Sequence, residues 1–444
     1  MRIGIFAAAG GVVVIVVDFT WGTAVAGNWG DSTKWVGLIS PGSPGLESYT
    51  LNFNVGGTYT ATNNLSAGFL LNRINFGGST ATLAGNSLVF SASGGTLPQV
   101  NQNSSAAVTI STNLTLAANT TIGGSGNGTV TVSGIISGGG TLTKTTSGNL
   151  TLSGVNTYSG GTTVNNGTLT VANKNGLGTG AVTLAAGTTY QHATFEGNSA
   201  AGALPNAIVL SGTGVVTFNI PFGQKDIWLS QPISGTGGIQ VQGGQRALTL
   251  TGNNTFSGGV TLLDVGAISN DVYIAHANSL GTGDFQTRTT VADKGRLIPL
   301  TNLSSGVSNI FRIAPGATLN IFANGTNHLH LTGAMTELTT QSGKLHKSGT
   351  ATLTLSGPAF GVNGGTTVMA GILAVNNAFS IGEGRVVVGV GGKLGLNYVG
   401  ERGVASLSLG NFNRPAGTWG STASSATNQN DTYFSGTGWL NVLA

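Results

Sequence analysis

Short runs in which every second residue is Leu, Val or Ile, broken every few residues by Gly, Asn or Ser, leave this chain little choice of secondary structure. Thr141-Leu142-Thr143, Leu150-Thr151-Leu152, Thr168-Leu169-Thr170-Val171 and Leu248-Thr249-Leu250 all alternate with period two. That spacing sends one set of side chains to each face of a strand, and the breakers mark turns. Nowhere do apolar residues recur at i, i+3, i+4 and i+7, and the density of Gly and Thr penalises a helix wherever one might start. The protein is therefore expected to be almost entirely β.

The pattern also repeats on a longer scale. "ISGGGTLTKTTSGNLTLSGVNTYSGGTTVNNGTLTV" from Ile136 recurs as "ISGTGGIQVQGGQRALTLTGNNTFSGGVTLL" from Ile233, and more loosely as "SGKLHKSGTATLTLSGPAFGVNGGTTVMAGILAV" from Ser342. Copies near 136–173, 233–265 and 342–377 have their LTL cores at Leu150, Leu248 and Leu353, a spacing too long for one coil, and more short strands with Gly turns lie between them. A parallel β-helix accounts for both scales, because one coil cannot bury its own apolar face without neighbours. Alternation then predicts that Leu142, Leu150, Leu152, Val164, Leu169, Val171, Leu248, Leu250, Leu353 and Leu355 face inward, with Thr outward.

Composition fits such a stack. Only 7% of the 444 residues are charged and 75 are Gly, far from the roughly 25% charged of an average soluble domain. Equivalent positions in adjacent coils lie about 4.8 Å apart, so like charges there would repel along a whole column and neutral Thr, Ser and Asn avoid that cost. Gly and Asn suit the corners, where positive φ angles are needed. With mean hydropathy above zero and a formal net charge of +4, collapse rather than disorder is expected. There is no cysteine, so disulfides and thiolate metal sites are excluded.

At this point the residues carry a resemblance. "SGGGTLTKTTSGNLTLSGVNTYSGGTTVNNGTLTVAN" (137–173) resembles the autotransporter-associated β-strand repeat, the passenger-associated repeat of bacterial surface and secreted proteins. In the second copy Asn254-Thr255-Phe256 stands where the first has Asn156-Thr157-Tyr158, and the third has Pro358-Ala359-Phe360 there. "GNWGDSTKW" (27–35) and "RPAGTWGSTASSATNQNDTYFSGTGWLNV" (414–442) resemble the opening and the end of such repeat regions. The resemblance implies a right-handed parallel β-helix exported to the cell surface or beyond. Residues 300–444 have neither the aromatic girdles nor the ten-residue lipid-facing strands of a translocator barrel, so a passenger-type protein without that barrel is expected.

Residues 1–26 admit two readings. Arg2, the apolar run "IGIFAAAGGVVVIVV" (3–17) and Ala24-Val25-Ala26 have the order of a signal peptide and its cleavage site. Val12 to Val17 are β-branched and equally suit a strand, one that could pair with the open edge of a neighbouring copy. Residues 27–400 are read as the solenoid and 401–444 as a β-rich end region. No run is long enough to span a bilayer.

Little of the chain offers reactive chemistry. Sugar lyases and hydrolases need clustered carboxylates, whereas the thirteen acids here are scattered, Asp264 with Asp271 and Asp284 with Asp293 being the closest. His328 and His330 share a strand face, a geometry able to chelate a metal, and His346 could approach on the next coil; without a nearby acid they read as surface histidines. Lys344, His346 and Lys347 form the densest basic cluster and read as a solvated strand edge, with no nucleic-acid patch. No catalytic, cofactor-binding or metal-ligating residue is assigned. The expectation is a non-catalytic extracellular structural or adhesive solenoid. Its expected partners are other copies of itself or surface polysaccharide. A polysaccharide-active β-helix enzyme is the alternative. The Thr-x-Thr pairs at 141, 168 and 249 are irregularly spaced, which argues against a flat lattice-binding face.

Overall fold

The computed structural model describes residues 2–7, 13–192, 202–221, 226–244, 246–263, 270–288, 294–337, 342–360 and 362–443. These fall into two compact units, residues 1–212 and 213–444. Among the described residues the regular structure is β throughout, apart from single 3-10 turns such as Ser32–Lys34 and Ala378–Ser380. The fold is an all-β parallel solenoid.

In the first unit the chain cycles round three walls. Arg73–Phe76, Ser79–Gly85 and Leu88–Phe90 make one circuit, and the chain then returns at Gln99–Gln102, parallel to Arg73–Phe76 with Val100 beside Ile74. One wall runs from Val13–Thr20 to Ile208–Ser211, a second from Gly27–Asn28 to Thr189–His192, and a third from Phe69–Leu71 to Ile136–Gly138. Past Gly138 the third wall continues without regular strands. There Thr157 N donates to Ile136 O and Thr179 N to Tyr158 O. Arg2–Ala7 departs from the parallel order by pairing antiparallel with Val13–Thr20.

The second unit follows the same plan. Its walls include Val215–Ile220, Gly238–Gly243, Val260–Leu262 and Phe285–Thr287 on one side, and Ala247–Leu250, Asp271–Ile274, Arg296–Pro299 and Thr318–Phe322 on another. Two eleven-residue strands, Gly365–Val375 and Val386–Leu396, run past a register shift between Val368 and Ala370. Residues 401–443 break the parallel rule: Leu407–Leu409 turns back on Phe412–Arg414, and Gly417–Gly420 runs antiparallel to Trp439–Val442.

Alternation fixes the core as expected. All ten residues named above as inward-facing are at most 1% exposed, each such burial contributing about 1.5–3 kcal/mol. Inward residues stack on their equivalents, as where Val130, Leu150, Leu169 and Tyr190 follow one another on four adjacent strands. Near the start of the first unit the interior is instead filled by rings. Trp21, Trp29 and Trp35 are buried among Phe19, Tyr49, Phe53 and Tyr59. Trp35 meets Trp21 edge-on at 5.2 Å and donates its Nε1–H to Trp29 O at 2.8 Å. The Trp-containing stretch 27–35 thus plugs the core with aromatic surface.

Candidate functional site

The most distinctive residues of the repeat are asparagines, and they work inside the wall. Asn156 accepts a hydrogen bond at Oδ1 from Ile136 N (2.8 Å) on the preceding coil and donates through Nδ2 to Gly176 O (2.6 Å) on the following one. Asn254 does the same with Ile233 N (2.9 Å) and Ser279 O (2.7 Å). Where the chain around Asn156 and around Asn254 has no strand ladder, these amides satisfy main-chain groups that burial would leave orphaned. Tyr158 and Phe256, two residues on, fill the interior beneath them. A second pair was not legible in the sequence: Asn206 Nδ2 donates to Gly178 O and Gly180 O, and Asn309 Nδ2 to Gly281 O and Gly283 O. Gly178 is required by this arrangement, since its φ is +65° and a Cβ would sit 2.3 Å from Tyr158 O.

Two lysines lie in the core. Lys144 is fully buried, and its Nζ donates to Thr146 O (2.6 Å), Thr146 Oγ1 (3.2 Å) and Asn166 O (2.8 Å). Lys347 is equally buried and donates to Ser348 O (2.8 Å), Gly349 O (2.7 Å) and Ala370 O (3.1 Å). Each ammonium caps the turn after its own strand together with a carbonyl one coil further on. Among the described residues no acid pairs with either, and burial lowers the pKa of both to about 8. This corrects the reading of Lys344, His346 and Lys347 as a solvated edge: Lys344 is exposed, but His346 is covered and Lys347 is interior. Thr162 also departs from the outward rule. It lies in the core, its hydroxyl 2.5 Å from that of Tyr158.

Among the described residues the remaining charges are dispersed or paired. Asp271 holds Arg296 in a two-pronged contact, Asp284 pairs with Arg312, and Glu383 with Arg402. Asp264 and Asp293 lie outside the described residues. The residue stacked on His330 one coil on is Thr354, not His346, which belongs to another wall beside Asn320 and Thr367. His330 is held between Ser304 O (3.2 Å) and Ser356 Oγ (2.8 Å), and His328 Nδ1 accepts from Thr352 N (3.0 Å). Among the described residues no group of three or more His, Asp or Glu is placed to hold a metal ion.

On the outer face of the second wall, Thr60, Thr82, Thr109, Thr131, Thr151 and Thr170 occupy one register column. The Thr-x-Thr pairs at 141, 168 and 249 fall on different walls, so their spacing in the sequence does not measure register within one wall, where the strands keep step. The column two residues back is interrupted by Asn149, which pairs with Thr168. The face therefore presents a single line rather than a two-dimensional array.

The strand Val13–Thr20 is paired on both sides within its own chain, with Arg2–Ala7 and with Tyr49–Phe53. Its main chain is thus engaged within the chain on both edges. Among the described residues no helix is long and apolar enough to cross a membrane.

The family model described as passenger-associated-transport-repeat matches residues 142–171, 247–266 and 345–375. These stretches are passenger-associated-transport repeats. The first and third matches begin at Leu142 and Leu345, each two residues before a buried lysine. No curated protein and no solved structure matches the chain.

Proposed function

We propose that the protein is a non-catalytic passenger-type solenoid that acts outside the cell as a structural or adhesive element. The observation that carries this reading is what the repeat does with its polar residues. Asn156, Asn254, Lys144 and Lys347 are all spent on holding one coil to the next. A repeat of this kind extends a scaffold rather than presenting reactive groups, and among the described residues Asp271, Asp284 and Glu383 are each engaged by an arginine rather than coupled to a second carboxylate.

Self-association into a filament or layer is the finer part of the proposal. Supporting it, Met369, Val390 and Phe412 are exposed at one corner where Val368, Val388 and Leu409 lie on neighbouring strands. A contact between copies would cover such a corner.

Surface labelling and protease shaving of intact producing cells test the location, and sedimentation of purified protein with Val390→Ser and Phe412→Ser tests the assembly. Accessible protein and concentration-dependent association that the double variant weakens are expected. Protein confined inside cells, or release of reducing ends from pectin or alginate that depends on a single acid, would overturn the reading.

A further inference from the structure

The first unit carries a cavity of about 210 Å³ lined by Val16, Ser48, Thr50, Asn72, Arg73, Ser93 and Thr96. It sits at one corner of the solenoid, where successive coils enter the same wall. Val16 is within the strand Val13–Thr20, Ser48 and Asn72 directly precede the strands Tyr49–Phe53 and Arg73–Phe76, and Ser93 and Thr96 belong to the loop leading to Gln99–Gln102. The wall is held in shape before any ligand arrives. Asn72 Nδ2 donates to Ser91 O (2.9 Å) and Thr96 O (3.0 Å), while Ser93 and Thr96 bond to each other through their main chains.

Three side chains in this wall have unmet hydrogen-bonding capacity. Arg73 Nε is buried without a partner, and Arg73 has no ion pair among the described residues. In the register column Asp18–Thr50–Arg73 the nearest acid is two strands away, roughly 10 Å at ordinary strand spacing and so beyond pairing. Thr50 and Ser93 are 7% and 8% exposed, and neither hydroxyl is engaged by another described residue. Arg73 Nε itself is closed off from the cavity, so an incoming acceptor would pair with the terminal amino groups of the guanidinium, which have no partner among the described residues.

The chemistry of the lining selects the ligand. There is one cation, with a planar fork suited to a carboxylate, so a singly charged anion fits best. Around it, Ser48, Thr50, Ser93 and Thr96 can each donate and accept, which suits a polyol. The volume is below the ~300–1,000 Å³ of sites that enclose drug-sized ligands, so the corner holds one small unit. We propose that this corner is a binding site for a single acidic sugar unit, a hexuronate residue, with Arg73 on its carboxylate and the hydroxyls of Thr50 and Ser93 on its ring hydroxyls. The proposal stands independently of export and self-association.

Titration calorimetry of the full chain with methyl glucuronide, methyl glucoside and acetate tests it. The uronide should bind saturably at about 10 mM or below, with little from the neutral sugar or from acetate. Arg73→Gln should weaken binding by about tenfold or more, and Ser93→Ala and Thr50→Val by a few-fold each, the thermal midpoint showing that the fold persists. Should Arg73→Gln not fold, Arg73→Lys keeps the charge but loses the fork, and at least several-fold weakening is expected. No saturable uronide binding, equal binding of acetate, or binding unchanged in the Arg73 variant that folds would overturn the assignment.

Discussion

Replacing Lys144 by Met isolates what a buried ammonium does to this fold. Burial brings its pKa from 10.5 down to about 8. Between those values the unfolded chain holds a proton that the folded chain has released, so stability rises as pH climbs through that window. At pH 7 both states are protonated and the cost of the buried charge is felt in full, about 3 kcal/mol at 1.36 kcal/mol per pH unit. By pH 9.5 about 2 kcal/mol of this is regained, which for a unit of this size raises its thermal midpoint by roughly 4–8 °C. The buried Tyr158 and Tyr190 hydroxyls are raised by burial and so act in the opposite sense, but only once free tyrosine ionises near pH 10. Lys144→Met removes the charge cost and also strands Thr146 O and Asn166 O, at about 1–3 kcal/mol each. The two effects nearly cancel at pH 7, so the pH slope is the diagnostic. Scanning calorimetry at pH 7.0, 8.5 and 9.5 should show the transition of the first unit rising with pH in the parent and losing that rise in the variant. Lys347→Met should do the same for the second unit. A flat parent profile, or a rise that survives in Lys144→Met, would refute the reasoning.

Asn156→Ala should destabilise the first unit by about 2–5 kcal/mol in urea titrations, because Ile136 N and Gly176 O both lose their partner; Asn254→Ala should do likewise in the second unit. Gly178→Ala should cost clearly more than Gly187→Ala. Both have positive φ, which costs about 1–2 kcal/mol for an L side chain, but a Cβ at Gly178 meets Tyr158 O at 2.3 Å whereas at Gly187 nothing lies within 4 Å. Leu150→Ala should lower stability by about 2–5 kcal/mol through the cavity it leaves, with the same denaturant assay as the check.

Period-two alternation made the walls, the inward set and the stacking legible in the sequence, because a slip of one residue would expose the whole apolar column. The same parity contained more than composition suggested. Lys144 follows Leu142 by two positions and Lys347 follows Leu345, so both point inward. The general rule that lysines stay at the surface concealed this for the cluster around His346. What the sequence could not reveal depends on how coils of unequal length align. The residues from Thr60 to Thr170 in the threonine column lie 19 to 27 positions apart, and no fixed period finds them. Arg73 is for the same reason an ordinary strand arginine in the sequence; only stacking brings Thr50 and the Ser93 loop to it. The inter-coil bonds of Asn156 and Asn254 needed the chain around them to be seen without strands.

Inter-coil crosslinking tests the parallel, in-register stack most directly, since the chain has no cysteine of its own. Thr131 and Thr151 are direct partners on adjacent parallel strands and face outward, while Leu152 points into the core. Their Cα separation, about 4.8 Å for neighbouring strands, is within reach of a disulfide. Thr131→Cys with Thr151→Cys should oxidise to an intramolecular disulfide, identified by peptide mass spectrometry, and Thr131→Cys with Leu152→Cys should remain reduced. A disulfide in the second pair and none in the first would place the strands one residue out of register and contradict the account.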